Sequence, residues 1–191
     1  MKTVILASQS PRRLEIMRKH GIEPIVIPSD VDETLPEGAD MEEAVRYLAG
    51  LKADACFRKL KETGEAKKYN NAVIVAADTI VYKDEIMGKP ADSADAFRML
   101  DKIRNTEHYV VTGIALIDLD TGKRTVIDDV TTVYTSDYTD EQIWEYINTV
   151  EPYDKAGSYA IQGDFGKYID HIEGEYENVV GLPFVRLIPY I

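Results

Sequence analysis

Along the chain, the first apolar positions form a short unbroken block, Thr3 to Ala7, which predicts a buried strand. A spaced pattern follows. Ser10 stands as an N-cap and Pro11 as the first helical residue, where a missing N–H costs nothing. Leu14, Ile16 and Met17 supply that helix with apolar contacts, and Gly21 stops it. The run EPIVIPSD predicts a second strand. Asp40 and Glu43 then form a capping-box pair that opens a long helix through roughly Leu60, with Val45, Leu48, Leu51 and Ala55 as its buried stripe.

The stretch NNAVIVAADTIVY is the most hydrophobic of all and predicts a central strand. A turn at Lys83-Asp84 leads into EIMGKP. Ser93 to Arg104 carries Ala96, Phe97, Leu100 and Ile103 at helical spacing. Two long β segments come next, HYVVTGIALIDLD and KRTVIDDVTTVYTSD, joined by the hairpin signal Asp120-Thr121-Gly122-Lys123. Thr139 with Gln142 is a second capping box, for a helix through about Asn148, and Pro152 lies beyond it. The Gly-rich tail predicts short strands. No repeat and no Pro/Ser-rich linker divides residues 1–191, so a single α/β domain is expected, with a mixed sheet flanked by helices.

Composition narrows the partners. Asp and Glu number 34 against 22 Lys and Arg, a net charge of -12, which argues against generic binding to nucleic acid or an anionic membrane. A small phosphorylated ligand is still compatible, because a cationic site can sit inside an acidic surface. The longest apolar run, AVIVAA, is far short of a membrane span, and the first residues do not read as a signal peptide. Cys56 has no second cysteine to pair with; a buried structural thiol and a reducing cytoplasm are expected.

Missing motifs narrow the chemistry. The chain has no Walker loop, dinucleotide fingerprint, H-E-x-x-H or cysteine pair, and His20, His108 and His171 have no ligand spacing. Carboxylates, lysines, arginines and helix-terminal amides remain, which is the equipment of metal-assisted phosphate chemistry. In SQSPRR, Ser8, Ser10, Arg12 and Arg13 surround a helix start and could bind an anion; a capped helix with solvated arginines is the plainer alternative. In SDVDET, Asp30, Asp32 and Glu33 could help hold a hard cation, or could simply form an acidic loop. Asp78 follows the central apolar run, where open α/β sheets place their ligands, although an ordinary turn carboxylate would read the same. Lys52, Lys89 and Lys155 complete the set, with a snorkelling role for Lys52 as its alternative.

Taken together, LASQSPRR, VDET, AADTIV, GKP, EPYDKAGSYAIQG and NVVGLP resemble, in order and spacing, the Maf family of septum-formation-inhibitor-like nucleoside triphosphate pyrophosphatases. The resemblance runs from residue 4 to about 184. It implies an inosine-triphosphatase-like fold, an elongated mixed sheet with two lobes around a cleft. It also implies an enzyme dependent on a divalent metal, Mg²⁺ or Mn²⁺, that cleaves between the α and β phosphates. Carried over, the proton acceptor falls on Asp78, its acidic metal-binding partner on Glu33, and phosphate contacts on Arg13, Lys52 and Lys89. Asp32 stands where some relatives have a second Glu, and a carboxylate is kept. Arg12, Thr79 and Gln162 match the branch that favours dTTP and UTP over 7-methyl-GTP. Gln162 offers a donor and an acceptor, as does the O4/N3 edge of uracil or thymine. A purine-directed pyrophosphatase and a nucleotide-binding regulator of septum formation are the alternatives, and a homodimer stays open.

Overall fold

A computed structural model describes residues 2–191. Its elements are β1 (Thr3–Leu6), α1 (Pro11–Lys19), β2 (Ile25–Val26), α2 (Met41–Glu62), β3 (Ala72–Lys83), β4 (Glu85–Met87) and α3 (Ser93–Ile103). β5 (Glu107–Asp118), β6 (Arg124–Thr135), α4 (Asp140–Ile147), β7 (Ile169–Glu173), α5 (Tyr176–Val180) and α6 (Phe184–Leu187) follow. The strands form one sheet in the order β2-β1-β3-β5-β6-β7, with β4 paired to β3. β1 runs parallel to β2 and β3, whereas β3–β4 and β6–β7 are antiparallel, so the sheet is mixed and the fold is α/β.

The chain divides into two compact units, Met1–Asp78 with Thr112–Asp129 and Gly181–Ile191, and Thr79–Val111 with Val130–Val180. The first unit is organised by α2. Both capping-box bonds are present at its start, where Asp40 accepts from the Glu43 N–H at 2.7 Å and Glu43 accepts from the Asp40 N–H at 3.2 Å. Its buried face is built from Val45, Leu48, Ala49, Ala53, Cys56 and Leu60, so the apolar stripe is turned away from Leu51 and Ala55, which are only partly buried. Small side chains at 49, 53 and 56 let the helix lie close on Ile5, Ala72, Ile74, Ala76, Ala115 and Ile117. At Gly113 the approach is backbone on backbone: a Cβ there would stand 2.4 Å from the Val45 carbonyl oxygen. Ala72 to Ala77 are buried on both faces of β3, as a central strand requires.

The second unit packs α3 and α4 around Met99, Leu100, Ile103, Ile143, Tyr146, Tyr159 and Phe165. The second capping box, Thr139 with Gln142, is also present. Three expectations need correction. EPIVIPSD yields a strand of two residues only, because Pro24 and Pro28 cannot donate to a ladder. Ser10 occupies the N-cap position, but its side chain caps nothing. The tail holds one strand, β7; most of it is short 3-10 turns and helices, bent by left-handed residues such as Gly157 and Ser158. Among the described residues, no helix is long and apolar enough to cross a membrane.

Candidate active site

In the first unit, β3 delivers Asp78 at the end of its buried run, only 7% exposed. α2 delivers Lys52 opposite it. The Lys52 ammonium lies 2.6 Å from Asp78 Oδ1 and 2.8 Å from Glu33 Oε1, so one cation joins carboxylates from two distant segments. The lysine does not snorkel to solvent; its head is turned inward to these acids. Asp78 has its pKa raised, first by burial and further by the negative charge of Glu33, against the opposing charge and hydrogen bond of Lys52 and the charge of Arg13. Burial therefore makes Asp78 a stronger base than an ordinary aspartate, whose pKa near 3.9 suits it poorly to that work.

SQSPRR is bonded to itself and to the chain's last segment. Arg13 Nε donates to the Gly181 carbonyl at 2.8 Å and Nη1 to Ser8 Oγ at 3.1 Å, and Ser8 Oγ also accepts from the Ser10 N–H at 3.2 Å. Desolvation lowers the Arg13 pKa; the charges of Asp78 and Glu33 oppose that shift, while Arg12 adds to it. Arg13 thus feels the field of the same two carboxylates that hold Lys52. The first turn of α1 contains no acid, so the positive helix start meets no negative charge of its own. Sequence reasoning missed the Gly181 carbonyl as an anchor. Its only signal was a glycine before Leu-Pro, and the reason is a φ of 123°.

Of the three acids in SDVDET, only Glu33 reaches Lys52. Asp32 is spent locally, accepting from the Thr34 N–H and hydroxyl at 3.0 and 2.6 Å, which lowers its pKa. Asp30 is exposed. Among the described residues, no group of three or more His, Cys, Asp or Glu could hold a metal by itself. Asp78 and Glu33 nevertheless direct oxygens at one cationic point. Two carboxylates of this kind fit Mg²⁺, which keeps several waters and takes other ligands from substrate phosphates.

The second unit holds the other candidates. Thr79, half-buried, follows Asp78 in β3. Lys89 is exposed in the loop after β4, and that loop is tied down because the Gly157 N–H donates to the Gly88 carbonyl at 3.0 Å. Position 157 admits only glycine: φ is 66° and a Cβ would come within 2.7 Å of Val81. Lys155 is engaged by Asp154 at 2.6 Å and by the Glu151 carbonyl at 2.8 Å. Gln162 is exposed in the turn closed by the Gly163 N–H on the Ala160 carbonyl at 3.1 Å. Cys56 is buried, and its thiol pKa is raised to about 11 by desolvation, as befits a structural residue.

A family model described as "Maf-like protein" matches residues 3–191. The dTTP/UTP pyrophosphatase of Caldicellulosiruptor bescii is 44% identical over 188 residues, spanning 98% of this chain and 92% of its own. The protein of the same name from Geotalea uraniireducens is 46% identical over 188 residues, with 97% and 91% covered. A solved structure, "The structure of the Staphylococcus aureus Ham1 protein", is similar at a TM-score of 0.48 and 18% identity over 87% of this chain and 91% of its own.

Proposed function

The chain belongs to the Maf family, and from that premise we propose that it is a dTTP/UTP pyrophosphatase that hydrolyses the bond between the α and β phosphates. The observation that carries this reading is the buried Asp78, raised in basicity and placed with Glu33 around the Lys52 ammonium. Asp78 Oδ1 is held by Lys52, which leaves Oδ2 as the oxygen that takes the proton from an attacking water. As the new P–O bond forms, the bond to the pyrophosphate breaks and negative charge grows on the leaving group. Arg13 and Lys52 stabilise that charge, and Lys89 is assigned the same part. Ser8 and Ser10 add hydroxyls at the start of α1. Arg12, Thr79 and Gln162 select the pyrimidine. Mg²⁺ or Mn²⁺, held by Asp78 and Glu33, would supply Lewis-acid polarisation of phosphate oxygens.

This role accounts for two arginines at the positive end of α1. Each is disfavoured there by about 0.3–1 kcal/mol, and an arriving polyphosphate reverses the sign of that term. The enzyme works in the cytoplasm on this reading. The test is product analysis over a panel of pyrimidine and purine triphosphates, with and without Mg²⁺ or Mn²⁺. Metal-dependent release of pyrophosphate and monophosphate from dTTP and UTP is expected. Orthophosphate as the product, equal use of purines, or no turnover would overturn it.

A further inference from the structure

Glu151, in the turn after α4, has a carboxylate committed to the loop that carries Gln162. Its Oε2 accepts from the Asp164 N–H at 3.2 Å, and its Oε1 accepts from the Tyr146 hydroxyl at 3.0 Å. Tyr146 itself is buried at 5% exposure, so one side of this contact is fixed in the core of the unit. Between those two bonds lies Gly163. A Cβ there would stand 1.8 Å from Glu151 Oε1 and 2.4 Å from Cδ, so the carboxylate occupies the space a side chain would need. The φ of Gly163 is -97°, which any residue can adopt, so a side chain there is opposed by the Glu151 carboxylate, which it would push aside, and not by the backbone. Gly166 repeats the pattern three residues further on, since its Cβ would meet the Ile161 carbonyl oxygen at 2.4 Å. Two glycines thus follow Gln162, one next to it and one four residues on, and their missing side chains let the loop close on its partners. Its own side chain is exposed.

We propose that Glu151 is a positioning residue for substrate choice: it clamps the Ile161–Asp164 turn from Tyr146 and so fixes the direction from which Gln162 meets the base. The inference rests on the reading of Gln162 as the reader of the pyrimidine edge. A reader on an exposed loop discriminates only if its donor and acceptor are held in place, and a misplacement of about 1 Å can cost roughly 100-fold in a positioned reaction. The clamp acts by geometry more than by charge. A glutamine at 151 keeps both contacts, with its carbonyl accepting from Asp164 and its amide donating to the Tyr146 oxygen.

The experiment compares kcat/KM for dTTP and UTP with that for GTP in wild type, Glu151→Ala, Glu151→Gln, Gly163→Ala and the double variant Glu151→Ala/Gly163→Ala, with circular dichroism as the fold control. Glu151→Ala and Gly163→Ala should each lower pyrimidine preference by about tenfold or more, within that positioning range, with GTP turnover unchanged. Glu151→Gln should restore most of the preference. The double variant should be no worse than Glu151→Ala alone, because the alanine at 163 then no longer meets the Glu151 carboxylate. Equal loss with all three nucleotides, no rescue by glutamine, or full additivity in the double variant would overturn the clamp. If Glu151→Ala does not fold, Gly163→Ala must still lose preference for the proposal to stand. A Gln162→Ala control separates the two ideas. Lost preference there, with Glu151→Ala unaffected, defeats only the clamp; retained preference in Gln162→Ala defeats the reading on which it rests.

Discussion

Lowering the pH should destabilise this protein through one histidine. His108 is fully buried in β5, with Nε2 2.6 Å from the Tyr159 hydroxyl and the Tyr159 ring set edge-on to it. Its Nδ1 has no partner among the described residues. Burial, with a smaller contribution from the Lys83 charge and against that of Glu107, lowers its pKa to about 3. In the unfolded chain the same imidazole titrates near 6.5. Between these values the unfolded state binds the proton and the folded state does not. Stability from the neutral form is therefore complete above about pH 6.5 and is lost as the pH falls. Each unit below 6.5 costs about 1.4 kcal/mol, so about 2 kcal/mol is gone by pH 5. Urea unfolding of wild type and His108→Gln at pH 7, 6 and 5 isolates this group, because carboxylates such as Asp118, held low by Lys2 and Thr121, titrate alike in both. The variant should be the less stable at pH 7, and its deficit should shrink by about 2 kcal/mol at pH 5. Parallel curves would refute the reasoning.

Asp78→Asn should lower pyrophosphate release by about 10²–10⁴-fold, the range of a positioned general base, with a modest change in melting temperature; an active Asn variant rules out the role. Gln162→Glu should sharply reduce UTP turnover with the far-ultraviolet spectrum unchanged, and intact discrimination among triphosphates would count against base reading. Gly113→Ala should destabilise by about 1–3 kcal/mol or more, because its methyl would press on the Val45 carbonyl; a thermal melt equal to wild type would disprove that contact. Lys52→Met should cost about 3–5 kcal/mol at pH 7, the usual loss when one partner of a buried ion pair is removed, and should lose less in acid as Asp78 protonates. A urea series in which the cost does not depend on pH would contradict this.

What the sequence revealed was local. Asp40 with Glu43 and Thr139 with Gln142 announced two helix starts, because a capping box is written within four residues and both bonds form as expected. The six-residue apolar run of β3 announced a central strand for a similar reason. What depended on distant packing was misread. The buried face of α2 is rotated towards Ala49, Ala53 and Cys56, since small residues and Gly113 draw the helix onto the sheet, a preference no periodicity displays. By residue type the acids in SDVDET were equivalent and only the family resemblance pointed to Glu33; folding supplies the physical difference, since Glu33 reaches Lys52 while Asp32 is consumed by Thr34. The Gly181 carbonyl that anchors Arg13 was invisible because backbone acceptors carry no letter.

The meeting of α2 with Gly113 has a consequence for how this protein can change over time. Lys52 lies two turns along the helix from Val45, whose carbonyl abuts the strand with no side chain in between. A seam made of side chains widens or narrows with every exchange of one apolar residue for another, and whatever the helix carries swings with it. A seam made of main chain has no such play. Neutral drift can therefore rework the oily residues on either side while the ammonium keeps its aim.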